Sequence, residues 1–500
     1  MLLAAVRPAQ GQDEAIVEAL AGVIATADAR RYDGPLLTTA ARHPDPLVRR
    51  QTALALGRIG DPAALTTLLE LFLDRDTTVR RDAAFALGLL GDAGAVETLG
   101  EFIANAPAES QTAYHTEAAT ALLKVAQADS SVRPAIADFV QQMVAREQPR
   151  IEAGETTPIV QRLILEAWRL GEAAPVRQLV QVAETRDPAA RRRAVYALMR
   201  LRAPAAATVM MAAVDDADVG TREHAVRTLT RQYAEAAGME PGAAADRVSR
   251  RVEDEDVGVR INALRALGTY GDARYASAAA DRIDDPEATV RVQALAALGQ
   301  LGGEEARRML DEAVDDGSFA EQQQALWGLA RVDRGRGIAR AARWITSDEW
   351  RHRASGTNAL AILGGDTAAA WLEALTADPD HRVAAAAYGA LGRLDSARAR
   401  QLAPGLLEHP DLVVRTLAEN RIGETPAPGD VARLSDAYAR ALNDRESDAR
   451  IAAVQAIGTA AERDPSAAFA VDDVFLARFP RADDYLVRRA AAEHLPSAAR

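Results

Sequence analysis

A short unit recurs along this chain, and its period limits what the chain can fold into. Asp45-Pro46-Leu47-Val48-Arg49 is followed by Ala53-Leu54-Ala55-Leu56-Gly57-Arg58-Ile59-Gly60-Asp61. Asp76-Thr77-Thr78-Val79-Arg80 is then followed by Ala84-Phe85-Ala86-Leu87-Gly88-Leu89-Leu90-Gly91-Asp92. Val48 and Val79 lie 31 apart, and the same interval separates Ala190 from Thr221, Val259 from Val290, His352 from Val383 and Val383 from Val414. A unit this short cannot bury its own apolar face, so neighbouring units must stack into one continuous core.

Each unit predicts a helical hairpin. Asp45, Asp76, Asp187, Asp285 and Asp378 stand as N-caps, their carboxylates satisfying the first free backbone N–H groups. Pro46, Pro188, Pro286 and Pro379 follow at the favoured first helical position. Val48, Thr52, Leu56 and Ile59 fall on one helical face. Gly60-Asp61, Gly91-Asp92 and Gly271-Asp272 supply a C-terminal glycine and then the cap of a second, apolar helix such as Leu65 to Phe72. Alanines such as Ala53, Ala83 and Ala294 let neighbouring helices approach.

The pattern resembles the HEAT-repeat family, and its period resembles the short HEAT-like repeats of phycobilin lyases. The resemblance implies an all-α fold: a right-handed α-α superhelix, an armadillo-like α-solenoid of about 13 hairpins. Residues 1–32 are expected to form an N-terminal capping helix region. HEAT-like repeats are expected over 33–237, degenerate at 105–175, and again over 238–500, continuing beyond the chain end. Gly238-Met239-Glu240-Pro241-Gly242 is expected to be an extended connection, and Asp483-Asp484-Tyr485-Leu486-Val487-Arg488-Arg489-Ala490 a further repeat start.

Composition and motifs bear on function mostly by exclusion. No cysteine is present, which removes thiolate metal sites, disulfides and cysteine nucleophiles. Net charge is −13, from 59 basic and 72 acidic residues, the opposite of a non-specific nucleic-acid footprint. No run of 18 apolar residues occurs, so no membrane insertion is expected. Cytoplasmic placement is slightly favoured over export. The seven histidines, His43, His115, His224, His352, His381, His409 and His494, never stand at metal-ligand spacing. HEAT-repeat hydroxylases with a di-iron centre use repeated His-Glu pairs, and this chain has no His-Glu dipeptide. Gly335-Arg336-Gly337 lacks the lysine and hydroxyl of a phosphate loop and is read as an interhelical turn. The acidic runs Glu253-Asp254-Glu255-Asp256 and Asp284-Asp285 are read as solvated helix starts. No catalytic residue, metal or cofactor is expected.

What remains is a surface. Asp45 with Arg49, Asp76 with Arg80, and Asp187 with Arg191 suggest caps and inter-repeat ion pairs; Arg191-Arg192-Arg193 is the strongest alternative, an anion-binding row. The doublets Arg49-Arg50, Arg80-Arg81 and Arg488-Arg489 recur at one helical phase. Trp327 is assigned to the core, at the phase of Leu56, Leu87 and Leu298; Trp350, beside Arg351 and His352, is the least core-like tryptophan. Phe85 and Tyr196 share a phase six residues after the Val48 position. Phe85, Arg192, Arg193, Tyr196, Trp350 and Arg351 are therefore the candidate contacts for a protein partner. The expected function is a non-catalytic protein–protein interaction scaffold that presents an extended concave helical surface, acting as a monomer. Two alternatives stay open. One is the partner-holding arm of a bacterial multidomain peptidyl-prolyl isomerase whose catalytic domain lies elsewhere; the other is a phycobilin-lyase-like enzyme.

Overall fold

Sequence and structure meet first at the hairpin. In the computed structural model, which describes residues 7–108, 112–441 and 447–463 with Leu486, Val487 and Ala490, the unit opens on Asp45. Asp45 Oδ1 accepts the N–H of Leu47 at 2.7 Å, and the helix Pro46–Ile59 runs from there to Gly60. Gly60 has φ 72°, the left-handed conformation that ends a helix without a Cβ clash. Asp61 then accepts the N–H of Ala63, opening a 3₁₀ turn that leads into Leu65–Phe72. The next unit repeats this with Asp76, the helix Thr77–Leu90, Gly91 at φ 70°, Asp92 and the helix Val96–Ala104. Among the described residues there are 28 helices and no strand, with 80% helical content: an all-α solenoid of stacked hairpins.

The chain divides into two compact units, Met1–Tyr270 and Gly271–Arg500. In the first, the opening helices of successive hairpins are Pro46–Ile59, Thr77–Leu90, Ala113–Ala128, Pro158–Glu166, Pro188–Leu201, Val219–Thr228 and Val257–Gly268. Arg7–Asp28 packs on the first of them. Val48, Leu56, Leu68, Phe72, Val79, Leu87 and Leu99 are fully buried between helices, each contributing on the order of 1.5–3 kcal/mol of transfer free energy. Opening helices pack directly on one another, whereas the second helices barely meet their counterparts. Small residues make this possible: a Cβ on Gly57 would lie 2.8 Å from the Ala86 Cα.

In the second unit the opening helices are Ala288–Leu301, Phe319–Val332, Trp350–Leu363, His381–Leu394, Leu412–Glu424 and Ser447–Arg463. The closest approach is backbone to backbone, since a Cβ on Gly299 would lie 2.5 Å from the Gly328 Cα. Here the cap assignments differ from the sequence reading. Glu287, not Asp285, is the residue before Ala288–Leu301, and Asp380, not Asp378, caps His381–Leu394. Pro286 and Pro379 consequently precede their helices instead of starting them. Gly335-Arg336-Gly337 is no interhelical turn either. It lies in the first turn of Arg334–Ile345, with Asp333 accepting the N–H of Arg336 at 3.0 Å.

The irregular stretches are helical too. Between 105 and 175 the second helix lengthens to Arg133–Ala153, and a 3₁₀ segment kinks at Gly171 with φ 57°. The expected extended connection at Gly238 is instead a turn, φ 65°, between the short helices Arg231–Ala236 and Pro241–Ser249. Most of the expected repeat start at 483–490, including the doublet Arg488-Arg489, lies outside the described residues.

Candidate functional site

Most of the recurrent arginines are structural. In several opening helices the fourth residue is an arginine that reaches to the next hairpin. Arg49 donates from Nε and Nη2 to the Asp74 carboxylate at 2.7 and 2.9 Å, and from Nη1 to the carbonyls of His43 and Pro44 at 2.8 Å. Arg191 does the same to Asp216 at 2.5 and 2.8 Å, Arg222 to Asp254 at 3.0 Å, and Arg353 to Asp378 at 2.8 and 2.9 Å. Each of these carboxylates also accepts the N–H of the cap residue two positions on. That double duty is why Asp378 looks like a cap in the sequence. His43 and His409 occupy the same place, their Nδ1 accepting the N–H of Asp45 and Asp411 at 3.1 Å. Burial works to raise the pKa of Asp74 and Asp254, but the arginine and backbone hydrogen bonds outweigh it and hold both below the usual carboxylate range. The run at Glu253-Asp256 is therefore not simply solvated, because the Asp254 side chain is only 2% exposed.

Two lesser arginine positions complete the picture. Where the degenerate hairpin follows, Arg80 lies over the Tyr114 ring at 4.7 Å. The second members of the doublets, Arg50 and Arg81, both turn to Asp82, at 2.8 and 3.0 Å.

With Arg191 assigned to the ladder, the remaining candidates of the first unit lie on the solvent-exposed side of the opening helices. Arg192, Arg193 and Tyr196 share one face of Pro188–Leu201; Phe85 sits on Thr77–Leu90, apart from them. Phe85 is 37% exposed, and the Lys124 ammonium lies 4.6 Å from its ring. Arg192 pairs with Asp218 at 3.2 Å. Arg193, half-buried, donates to the Ala189 carbonyl of its own helix at 2.8 Å. The Tyr196 hydroxyl accepts from Arg200 at 3.2 Å, and its ring meets the edge of His224 at 5.3 Å. Trp168, not among the sequence candidates, joins this patch with Arg200 3.9 Å and Arg169 4.4 Å from its ring centre.

In the second unit, Trp350 and Arg351 start the helix Trp350–Leu363 and line a cleft of about 340 Å³ with Phe319, Gln323, Ser355 and Asn358. The Arg382 guanidinium lies 3.5 Å from the Trp350 ring centre. A second cleft, about 480 Å³, shares Asn358 and is lined by Trp327, Ile362 and Arg393. Trp327 is thus not a core residue: it is half-exposed, its Nε1 donating to the Ser355 carbonyl at 3.2 Å. Leu329 takes the buried position equivalent to Leu298. Counting helix starts, Ala288 to Phe319, puts Trp327 at the ninth residue of its helix, the position held by Phe85 and Tyr196 in theirs. The period in the sequence contained that signal, and a register error of two residues concealed it.

Among the described residues, no cluster of His, Asp or Glu could hold a metal ion, and no helix is long and apolar enough to cross a membrane. The sequence matches the family described as HEAT repeats over residues 10–88, 34–116 and 244–321, and the PBS lyase HEAT-like repeat over 190–216. No curated protein matches it. Similar solved structures include yeast importin-beta (Kap95p), with 12% identity, 96% of this chain and 73% of that chain covered and TM-score 0.54. A Kap95:Nup1 complex gives 12% identity, 99% and 75% coverage and TM-score 0.53. The CpcE and CpcF complex of phycocyanin lyase from Nostoc sp. PCC7120 gives 19% identity, 59% and 95% coverage and TM-score 0.25.

Proposed function

From a chain whose sequence matches HEAT repeats, we infer a scaffold that holds partner proteins along the solvent-exposed side of its opening helices, without chemistry of its own. The observation that carries this is positional. Phe85, Tyr196 and Trp327 stand at the ninth residue of their helices, where a core role would bury them, and all three reach solvent. Large rings kept at the surface in register with arginines are the composition of interface hot spots. Trp350 and Arg351, on the cleft next to Trp327, extend the contact in the second unit, and the amides of Gln323 and Asn358 there offer donors and acceptors to a bound backbone.

The test is affinity capture from a lysate of the source organism, followed by mass spectrometry, with the natural chain and a Trp327→Ala/Trp350→Ala variant. Proteins held by the natural chain and lost from the variant are expected. Identical capture by both would remove this face as the binding surface.

A further inference from the structure

The two units do not offer the same chemistry. In the clefts of the second unit, the lining polar groups are largely amides and a serine, with Arg351 and Arg393. The first unit presents arginines: across Pro158–Glu166 and its 3₁₀ continuation, Pro188–Leu201 and Val219–Thr228, the patch carries Arg162, Arg169, Arg192, Arg193, Arg200 and Arg227. Contacts knit it into one surface, through Arg200 on Trp168, Tyr196 against His224 and Arg192 with Asp218. The carboxylates within it are already engaged. Glu166 accepts from Arg169 at 2.8 Å and lies 3.5 Å from Arg162. Asp218 caps its helix through Thr221, and Glu223 accepts from Asn262 at 3.2 Å. Asp187, the acid closest in charge to Arg193, is held by the N–H groups of Ala189 and Ala190 and by the Thr156 hydroxyl. Six arginines thus stand against these four carboxylates, and Glu166 and Asp218 take up Arg162, Arg169 and Arg192, in a chain of net charge −13.

We propose that this face of the first unit binds an extended, Asp/Glu-rich segment of a partner protein, with Arg193 at its centre and Arg192, Arg200 and Arg227 around it. The inference rests on the scaffold reading above and names the partner's chemistry. Arginine forks match carboxylates two bonds at a time, and a half-buried guanidinium among other guanidiniums is the place where an incoming carboxylate gains most. Burial, then Arg192 and Arg162, already holds Arg193 below its ordinary basicity, a cost that a bound anion relieves. A single-stranded nucleic acid fits less well. Its bases need open ring faces, whereas the Trp168 ring carries Arg200 and Arg169, and the Phe85 ring carries Lys124.

The experiment is a fluorescence anisotropy titration of the full chain with three labelled probes: a peptide of alternating Glu and Leu, one of alternating Lys and Leu, and oligothymidylate. The Glu peptide is expected to bind, more weakly as salt rises. Arg193→Ala, and separately the pair Arg200→Glu/Arg227→Glu, should each weaken it at least about tenfold. Arg343→Glu, an exposed residue on the helix Arg334–Ile345 of the other unit, should leave it unchanged. The paired variant changes exposed side chains, so it carries the test if Arg193→Ala proves unstable. Absence of Glu-peptide binding, binding indifferent to both variants, or arginine-dependent preference for oligothymidylate would each overturn the proposal. If tryptophan-dependent capture persists while peptide binding fails, only the acidic-segment inference falls, and the scaffold reading stands.

Discussion

At the residue scale, the same residue type does opposite jobs two positions apart. Arg191 is locked into Asp216 and the Thr185 carbonyl, while Arg193 finds only a carbonyl of its own helix. A helix turns about 100° per residue, so consecutive arginines point to different neighbours whatever their chemistry. The acids divide in the same way. Asp74 and Asp254 contribute stability that is present above the ordinary carboxylate range and lost as pH falls through their lowered values. Glu419 behaves inversely. It is 2% exposed, its Oε2 has no partner, and burial, partly offset by Arg415 and Arg440, raises it to about 7. Its stability contribution is present below the ordinary glutamate value and lost as pH rises through about 7. Glu419→Gln should therefore flatten the decline in melting temperature between about pH 5 and about pH 8, with the variant the more stable of the two at the alkaline end. Parallel melting curves across that range would mean that Glu419 does not titrate there.

At the element scale, the spacing of opening helices is set by what their contact points lack. Gly299 and Gly328 meet backbone to backbone, so a methyl group has nowhere to go. Gly389 lies in the interior of His381–Leu394, with its nearest neighbour, the Arg393 guanidinium, 3.8 Å from a built Cβ. One substitution thus has opposite signs at two helical glycines. Gly299→Ala should cost about 1–3 kcal/mol by overpacking. Gly389→Ala should gain about 0.5–1 kcal/mol through helix propensity. Urea unfolding of both variants checks this, and a neutral Gly299→Ala would show that the helices can slide apart freely. The tight packing also aligns Phe85, Tyr196 and Trp327 at one helical position, because each opening helix starts in the same register relative to its cap.

At the scale of the whole molecule, stability is a sum of nearest-neighbour interfaces, so a complete period is dispensable in a way that half of one is not. Residues 350–380 comprise one period: Trp350–Leu363, Gly365–Leu375 and the following turn, including both Arg353 and Asp378. Excising 350–380 should leave a cooperatively unfolding helical protein. Excising 350–363 alone should leave the second helix without its partner and abolish cooperative unfolding in that unit. Circular dichroism during thermal unfolding separates the two, and equal damage from both deletions would contradict additive stacking. Function is written at this scale as well, since no single hairpin carries enough surface to hold a partner.

The period, the Asp caps at Asp45, Asp76 and Asp187 and the glycine stops were all legible in the sequence, because each is a local event decided within a few residues. From them the hairpin, the stacking and the all-α class follow without knowledge of any long-range contact. Exclusion of cysteine chemistry, and the candidacy of Phe85, Tyr196, Trp350 and the Arg192-Arg193 pair, were equally legible. What the sequence could not decide was direction. Whether Asp378 caps its own helix or braces Arg353, whether Trp327 or Leu329 enters the core, and whether Arg191 or Arg193 is left with an unmet charge all depend on the neighbouring hairpin. Two residues one or two positions apart differ only in rotation about a helix axis, and only the packed neighbour gives that rotation an inside and an outside.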